Sequence, residues 1–217
     1  MDSPANLASL FASGIAWADA PIAASADAML PEERALVERA PEQRRREFAT
    51  GRALARKLLA GMGVAATALR IAEHGAPRWP EGIVGSIAHS DTWCVAAIAR
   101  ATELAALGLD IEPLAGGDAG LLELIADERE RAWARAAGPG RSDLRTQLLF
   151  CAKESFYKCL SAQAQSGLDH QQLEIHFDHS ETKFTAKLAS KAAGAPAQGR
   201  AGVVRAHVVT VTRMALV

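Results

Sequence analysis

Two short segments of this chain carry residue types that could handle a phosphate group. The first, Leu107-Gly-Leu-Asp-Ile-Glu112, places carboxylates at Asp110 and Glu112. The second, Phe150-Cys-Ala-Lys-Glu-Ser-Phe-Tyr-Lys158, places Glu154 and Lys158 one helical turn apart. Read as a strand, the first segment sends Leu107, Leu109 and Ile111 to one face and Asp110 and Glu112 to the other. The two carboxylates then lie about 7 Å apart, a spacing that suits two oxygen ligands on one hard cation. Without a cation they repel, and taken alone a solvated strand end describes them as well. Glu154 and Lys158 share a helix face, and as an isolated pair they would be a surface salt bridge of a few tenths of a kcal/mol. Side by side, three carboxylates and a lysine make up what Mg²⁺-dependent phosphate chemistry needs.

Upstream residues could hold the rest of a phosphorylated ligand. His89 follows the apolar run Ile83 to Ile87 and stands at a turn, where an imidazole can donate to phosphate. Arg44, Arg45, Arg46, Arg52 and Arg56 offer guanidinium forks of the right shape. For a lone histidine or a run of charge, a turn or a solvated helix face is the commoner explanation.

Regular elements must position these groups. Pro31-Glu-Glu-Arg34 opens a helix that Pro41 interrupts. A second helix, 42–61, has Phe48, Leu54, Leu58 and Leu59 on one side and the basic residues elsewhere, and Gly61 and Gly63 end it. The segment His74 to Pro80 is a loop, because its two prolines exclude regular helix. Strands follow at 83–87, 92–99 and 104–112, the last ended by Pro113 and Gly116-Gly117. The second half repeats this order, with helices at 119–136 and 143–161 and strands at 172–178, 183–189 and 202–213. Gly138-Pro139-Gly140 separates the helices, and Ala192 to Gly199 is a small-residue loop. Residues 1–30 resist assignment. Helices then strands, twice, predicts an α+β protein of two similar α/β lobes, 1–103 and 104–217.

Bulk composition narrows the partners. The chain has 217 residues, is 49% hydrophobic, and balances 24 Lys and Arg against 25 Asp and Glu. A net charge of −1 provides no global field to recruit nucleic acid or an anionic membrane. No apolar run is long enough to span a bilayer, and the N-terminus opens on Asp2 rather than a basic region, against a secretory leader. Cys94, Cys151 and Cys159 are odd in number and lack zinc spacing, which fits the reducing cytoplasm.

Taken in order, Thr50-Gly-Arg-Ala53, Trp79-Pro80, Gly85-Ser-Ile-Ala-His89, Gly108-Leu-Asp-Ile-Glu112 and Ala152-Lys-Glu-Ser-Phe-Tyr-Lys158 form a constellation. It resembles the 4′-phosphopantetheinyl transferases of the surfactin/enterobactin-synthetase class, the enterobactin-type branch more closely. The match runs from about residue 30 to 178. The resemblance implies two lobes related by a pseudo-twofold, in a monomer, with the active site between them. It implies transfer of the 4′-phosphopantetheine arm of coenzyme A to a serine of an apo acyl or peptidyl carrier protein, releasing adenosine 3′,5′-bisphosphate. Such carriers serve fatty-acid, polyketide and nonribosomal-peptide synthesis, siderophores included.

The roles carry over by position. Asp110, Glu112 and Glu154 resemble the ligands of Mg²⁺, with Mn²⁺ as an alternative, and Ile111 leaves one coordination site to water. Glu154, or a metal-bound water near it, resembles the base, and Lys158 the lysine that stabilises the pyrophosphate. His89 resembles the phosphate-contacting histidine and Arg52 the arginine near the coenzyme's 3′-phosphate, with Arg45 and Arg56 on the same rim. Two positions depart from the pattern. Ala88 stands where the family has Ser or Thr, so Ser86 or Ser90 would supply a hydroxyl. Gly75-Ala76 stand where a basic residue precedes the proline, so Arg78 or His74 would reach that phosphate. The competing readings are another Mg²⁺-dependent phosphohydrolase and a non-catalytic module that binds a nucleotide or a carrier.

Overall fold

The computed structural model describes residues 6–65, 67–72, 75–114, 119–138, 140–189 and 196–216. His74, Gly116, Gly117 and Pro139 of the expected loops, and residues 192–195, lie outside that set. In chain order the elements are β1 (Ala16–Pro21), α1 (Pro31–Leu36), α2 (Glu42–Gly61), β2 (Ile83–His89), β3 (Trp93–Arg100) and β4 (Ala106–Pro113). Then come α3 (Ala119–Ile125), α4 (Glu128–Arg135), α5 (Arg141–Tyr157), α6 (Ala162–Gln165), β5 (Leu173–Phe177), β6 (Lys183–Leu188), β7 (Ala197–Val204) and β8 (His207–Met214).

The strands form two antiparallel sheets, ordered β1-β3-β2 and β4-β8-β7-β6-β5. One winding occurs in both. A first strand precedes the long helix (β1 before α2, β4 before α5), and the last strand, β3 or β8, inserts between that first strand and its own hairpin mate. The expected pair of similar α/β lobes is therefore present, and β5 and β6 extend the second sheet alone.

Burial explains the sequence texture. β3 is apolar from Trp93 to Ala99 and buried along that whole length, because α2 covers one face of its sheet and the second sheet covers the other. Between the sheets, Val95, Ala97 and Ala88 meet Leu107, Leu109, Ile111 and Val209. The opposite face of the second sheet packs on α3 to α5 through Leu149, Phe156, Ile175 and Phe184. A polar tie also crosses between the sheets: the Ser86 hydroxyl accepts from the Leu109 amide at 3.0 Å.

At one corner the lobes are stitched by the turn between β7 and β8. Arg205 donates to Asp19 of β1 at 2.8 Å and lies over the Trp93 ring at 5.2 Å. His207 meets the Ser90 hydroxyl at 2.9 Å. Arg205 and Ala206 both hold positive φ, at 51° and 58°, which splits the expected strand 202–213 into a hairpin. Without the usual Gly or Asn the sequence carries no signal for that turn.

Other boundaries shift for local reasons. The expected helix 119–136 is two helices, because Asp127 caps the Glu130 amide at 2.7 Å and the Glu130 carboxylate returns to the Asp127 amide. β1 was not anticipated. Its alanines give little strand signal, and it exists because β3 offers an open edge from Trp93 to Ile98.

Candidate active site

α5 reaches β4 because Gly108 has no side chain. A Cβ built there would stand 1.9 Å from the Ser155 carbonyl oxygen. With the helix drawn in, Lys158 at its C-terminal cap donates to Asp110 Oδ1 at 2.7 Å and to the Leu109 carbonyl at 2.9 Å. The expected strand faces hold. Leu107, Leu109 and Ile111 enter the inter-sheet core, while Asp110 turns toward α5. Glu154 does not pair with Lys158. Its Oε1 lies 2.5 Å from His170 Nε2, on a short 3₁₀ turn (His170–Gln172) that the sequence reading passed over.

A second unanticipated group stands behind these. Lys153 is fully buried and paired at 2.7 Å with Glu130, itself 1% exposed, and it also donates to the His170 carbonyl at 2.9 Å. Glu130 in turn accepts the Ile175 amide at 2.7 Å. Burial lowers the Lys153 pKa, against the pull of Glu130.

The electrostatics follow burial and crowding. Burial pushes the Asp110 carboxyl up, although Lys158 opposes it. Burial first and Asp110 second push Glu112 up to about 7. For Glu154, burial raises the pKa, but His170 and Lys158 outweigh it and hold the group low. Lys158 is lowered by burial and raised by more through Asp110, so it stays charged.

Do these residues fit a divalent cation? As placed, no three Asp, Glu, His or Cys side chains among the described residues form a group that could hold one. The donor chemistry nevertheless fits. Asp110 Oδ2 is buried with no hydrogen-bond partner, an arrangement that costs about 1–3 kcal/mol unless something charged faces it. Asp110, Glu112 and Glu154 act on one another through their charges. These are hard oxygen donors of the kind Mg²⁺ takes.

The upstream residues divide. Arg44, Arg52 and His89 line one cavity of about 150 Å³ beside β2. Arg44 Nη1 lies 2.7 Å from His89 Nε2, and because an arginine can only donate, His89 Nε2 carries the lone pair and Nδ1 the proton, 3.6 Å from Glu47. Burial also lowers the His89 pKa, which keeps the ring neutral. Arg52 is buried, stacked on Phe48 at 4.2 Å, with its Nε donating to the Leu69 carbonyl. Burial brings its pKa to about 10.

Arg52 thus sits on the packed side of α2, against the expected split between apolar and basic faces. Arg56 does too: it is committed to the buried Glu33 and the Ala28 carbonyl, and it is not in the cavity wall. Neither is Arg45, while Arg44, its neighbour, is. Arg78 lines a separate depression with Arg70 and Trp79. Ala88 faces the inter-sheet core, opposite His89 across the pleat, so a hydroxyl there would not point into the cavity. Ser90 is occupied by the Trp93 amide and His207.

A second cavity, of about 360 Å³, lies between the lobes. Glu154, Tyr157 and Lys158 form one wall, and Trp79, Ser86 and Ile87 the other. Gly75, Pro77 and Ile87 border both cavities, so the Arg44–Glu47–Arg52–His89 cluster adjoins the cavity of Lys158.

Comparison with known proteins agrees in both lobes. Residues 32–99 match the family model of the 4′-phosphopantetheinyl transferase N-terminal domain, and residues 106–212 that of the 4′-phosphopantetheinyl transferase superfamily. The chain is 38% identical over 161 residues to 4′-phosphopantetheinyl transferase Svp of Streptomyces mobaraensis, covering 74% of this chain and 65% of Svp. It is 35% identical to 4′-phosphopantetheinyl transferase Npt of Nocardia iowensis, covering 68% of this chain and 66% of Npt. It is 33% identical to 4′-phosphopantetheinyl transferase PptT of Mycobacterium tuberculosis, covering 75% and 71%. The alignments with Svp and Npt span just under two thirds of those proteins.

Proposed function

Because the chain belongs to the 4′-phosphopantetheinyl transferase superfamily, we propose that it moves the 4′-phosphopantetheine arm of coenzyme A onto a serine of an apo acyl or peptidyl carrier protein. Adenosine 3′,5′-bisphosphate is the other product, and Mg²⁺ or Mn²⁺ is required. The observation that carries this reading is the pair of adjoining cavities, one lined by Arg44, Arg52 and His89 with Glu47 beside them, the other by Lys158 and Glu154. A long substrate with a phosphate at one end and a pyrophosphate further along matches that distribution.

In this reading Arg44, Arg52 and His89 hold the 3′-phosphate. Arg44 takes the place expected of Arg45 and Arg56, whose side chains lie elsewhere. Lys158 has three ammonium hydrogens, and Asp110 and Leu109 take two of them. The third is available to a pyrophosphate oxygen and stabilises charge as the bisphosphate leaves. Glu154 lines the cleft beside it and is the candidate to take the proton of the carrier serine. Asp110, Glu112 and Glu154 would hold the cation, which neutralises pyrophosphate charge when bound.

The lobe boundary lies between β3 and β4, which gives 1–103 and 104–217, and the protein works as a cytoplasmic monomer. Among the described residues no helix is long and apolar enough to cross a membrane.

The test is incubation with coenzyme A, Mg²⁺ and an apo carrier protein, read by intact mass. A carrier heavier by one phosphopantetheine arm is the expected result. Hydrolysis of coenzyme A with the carrier unchanged would instead favour a phosphohydrolase. Binding without either would leave a non-catalytic module.

A further inference from the structure

Glu154 is needed at the cation site in the reading above, yet its partner in this structure is His170, at 2.5 Å. The contact is held from several sides. The imidazole stacks between Phe150 and Tyr157, with centroids at 6.2 and 6.5 Å. The backbone of His170 is fixed by Lys153 Nζ, whose position is set by the buried Glu130. Glu130 is fixed in turn by the Asp127 and Ile175 amides. A chain of bonds therefore runs from the core to the imidazole and ends on the third carboxylate. With Glu154 so held, the three acids do not form a group that could hold a metal ion.

We propose that His170 is a positioning residue that holds Glu154 off the cation site. Cation binding then exchanges the His170 bond for a bond to the metal, and the buried Glu130–Lys153 pair sets how firmly His170 competes. Apparent cation affinity falls by the fraction of molecules in which Glu154 is free. The inference rests on the ligand assignment of the proposed function. Neither cavity wall nor sequence spacing points to His170, which lies sixteen positions beyond Glu154.

The probe is Mn²⁺, titrated into the full chain saturated with coenzyme A and read by electron paramagnetic resonance, with no carrier present. His170→Phe keeps a stacking ring and removes the donor. It should bind Mn²⁺ about tenfold more tightly, as expected for losing one hydrogen bond to a charged group. His170→Gln retains an N–H donor and should stay closer to the native affinity than to His170→Phe. Unchanged or weaker affinity in a folded His170→Phe chain overturns the proposal.

The native chain gives a test that needs no substitution. Adding Mg²⁺ to its coenzyme A complex should shift the ¹⁵N resonance of the His170 ring, and an unmoved resonance overturns the proposal equally. A native chain that binds Mn²⁺ but never modifies a carrier would sink the transfer reading and leave this one standing.

Discussion

The two lobes solve one anchoring problem in the same way and then diverge. In the first, Glu33 is the third residue of α1, fully buried, and accepts the Leu30 and Leu69 amides. Its cation is Arg56 of the long helix α2. In the second, Glu130 is the third residue of α4, equally buried, and accepts the Asp127 and Ile175 amides. Its cation is Lys153 of the long helix α5. In both, a short helix, a long helix and the segment beyond it are tied at one carboxylate. The difference lies in what hangs from the anchor. Arg56 stands four residues after Arg52, one turn along the same face, and the Leu69 peptide is gripped by Arg52 as well as Glu33. Lys153 is next to Glu154 and holds the backbone of its partner His170. The same scaffold thus places Arg52 beside one cavity, with Arg44 and Glu47, and Glu154 beside the other, with Lys158.

Substitutions can break that comparison at graded cost. The largest effect is expected at Asp110→Ala, which removes a buried carboxylate and strands Lys158 at once. Carrier modification should fall by about 10²–10³-fold, the scale of losing one charge-stabilising group. A rate near that of the native chain would show that Asp110 does not serve the chemistry.

The anchors come next. Lys153→Met leaves Glu130 charged and buried, and unfolding should become easier by about 3–5 kcal/mol. Arg56→Met in the other lobe should cost less, about 2 kcal/mol, because that arginine side chain is 14% exposed whereas Lys153 is fully buried. Chemical denaturation of both variants tests the ranking. Equal losses would mean that exposure does not separate the two anchors.

Lys158→Ala should lower turnover while changing coenzyme A binding by less, and a purely binding defect would refute its leaving-group role. The smallest change is expected at Arg44→Ala, which should raise the KM for coenzyme A about tenfold. With dephospho-coenzyme A, which lacks the 3′-phosphate, that penalty should disappear. If it persists, the cavity of Arg44 and Arg52 does not read the 3′-phosphate.

The reactive segments themselves were legible in the sequence. The alternation in Leu107 to Glu112 and the helix periodicity around Glu154 placed both on the right elements. What local pattern could not show was who pairs with whom. Spacing made Glu154 and Lys158 natural partners, yet each found a better one across the fold, His170 and Asp110. The reason is Gly108. It lets α5 close onto β4, so that Lys158 meets a buried carboxylate before a partly exposed one. Nothing in the sequence marks Lys153 as buried, because a lysine fits a core only when a buried acid waits there, and Glu130 lies 23 positions away. In the same way the sequence pattern sets Arg52 and Arg56 away from the apolar side of their helix, when the peptide of Leu69 and the carboxylate of Glu33 turn that face inward.

The stitched corner at Arg205 has a mechanical consequence. Asp19, Trp93 and Ser90 on one side and Arg205 and His207 on the other bind the lobes by charge, ring contact and hydrogen bond together. With the Ser86–Leu109 bond, they leave no slack for a hinge. The cleft therefore behaves as a slot of fixed gauge rather than a jaw. Coenzyme A, if it binds as proposed, would find its fit through the rotamers of Lys158 and Glu154, and the radius of gyration should be the same with and without it.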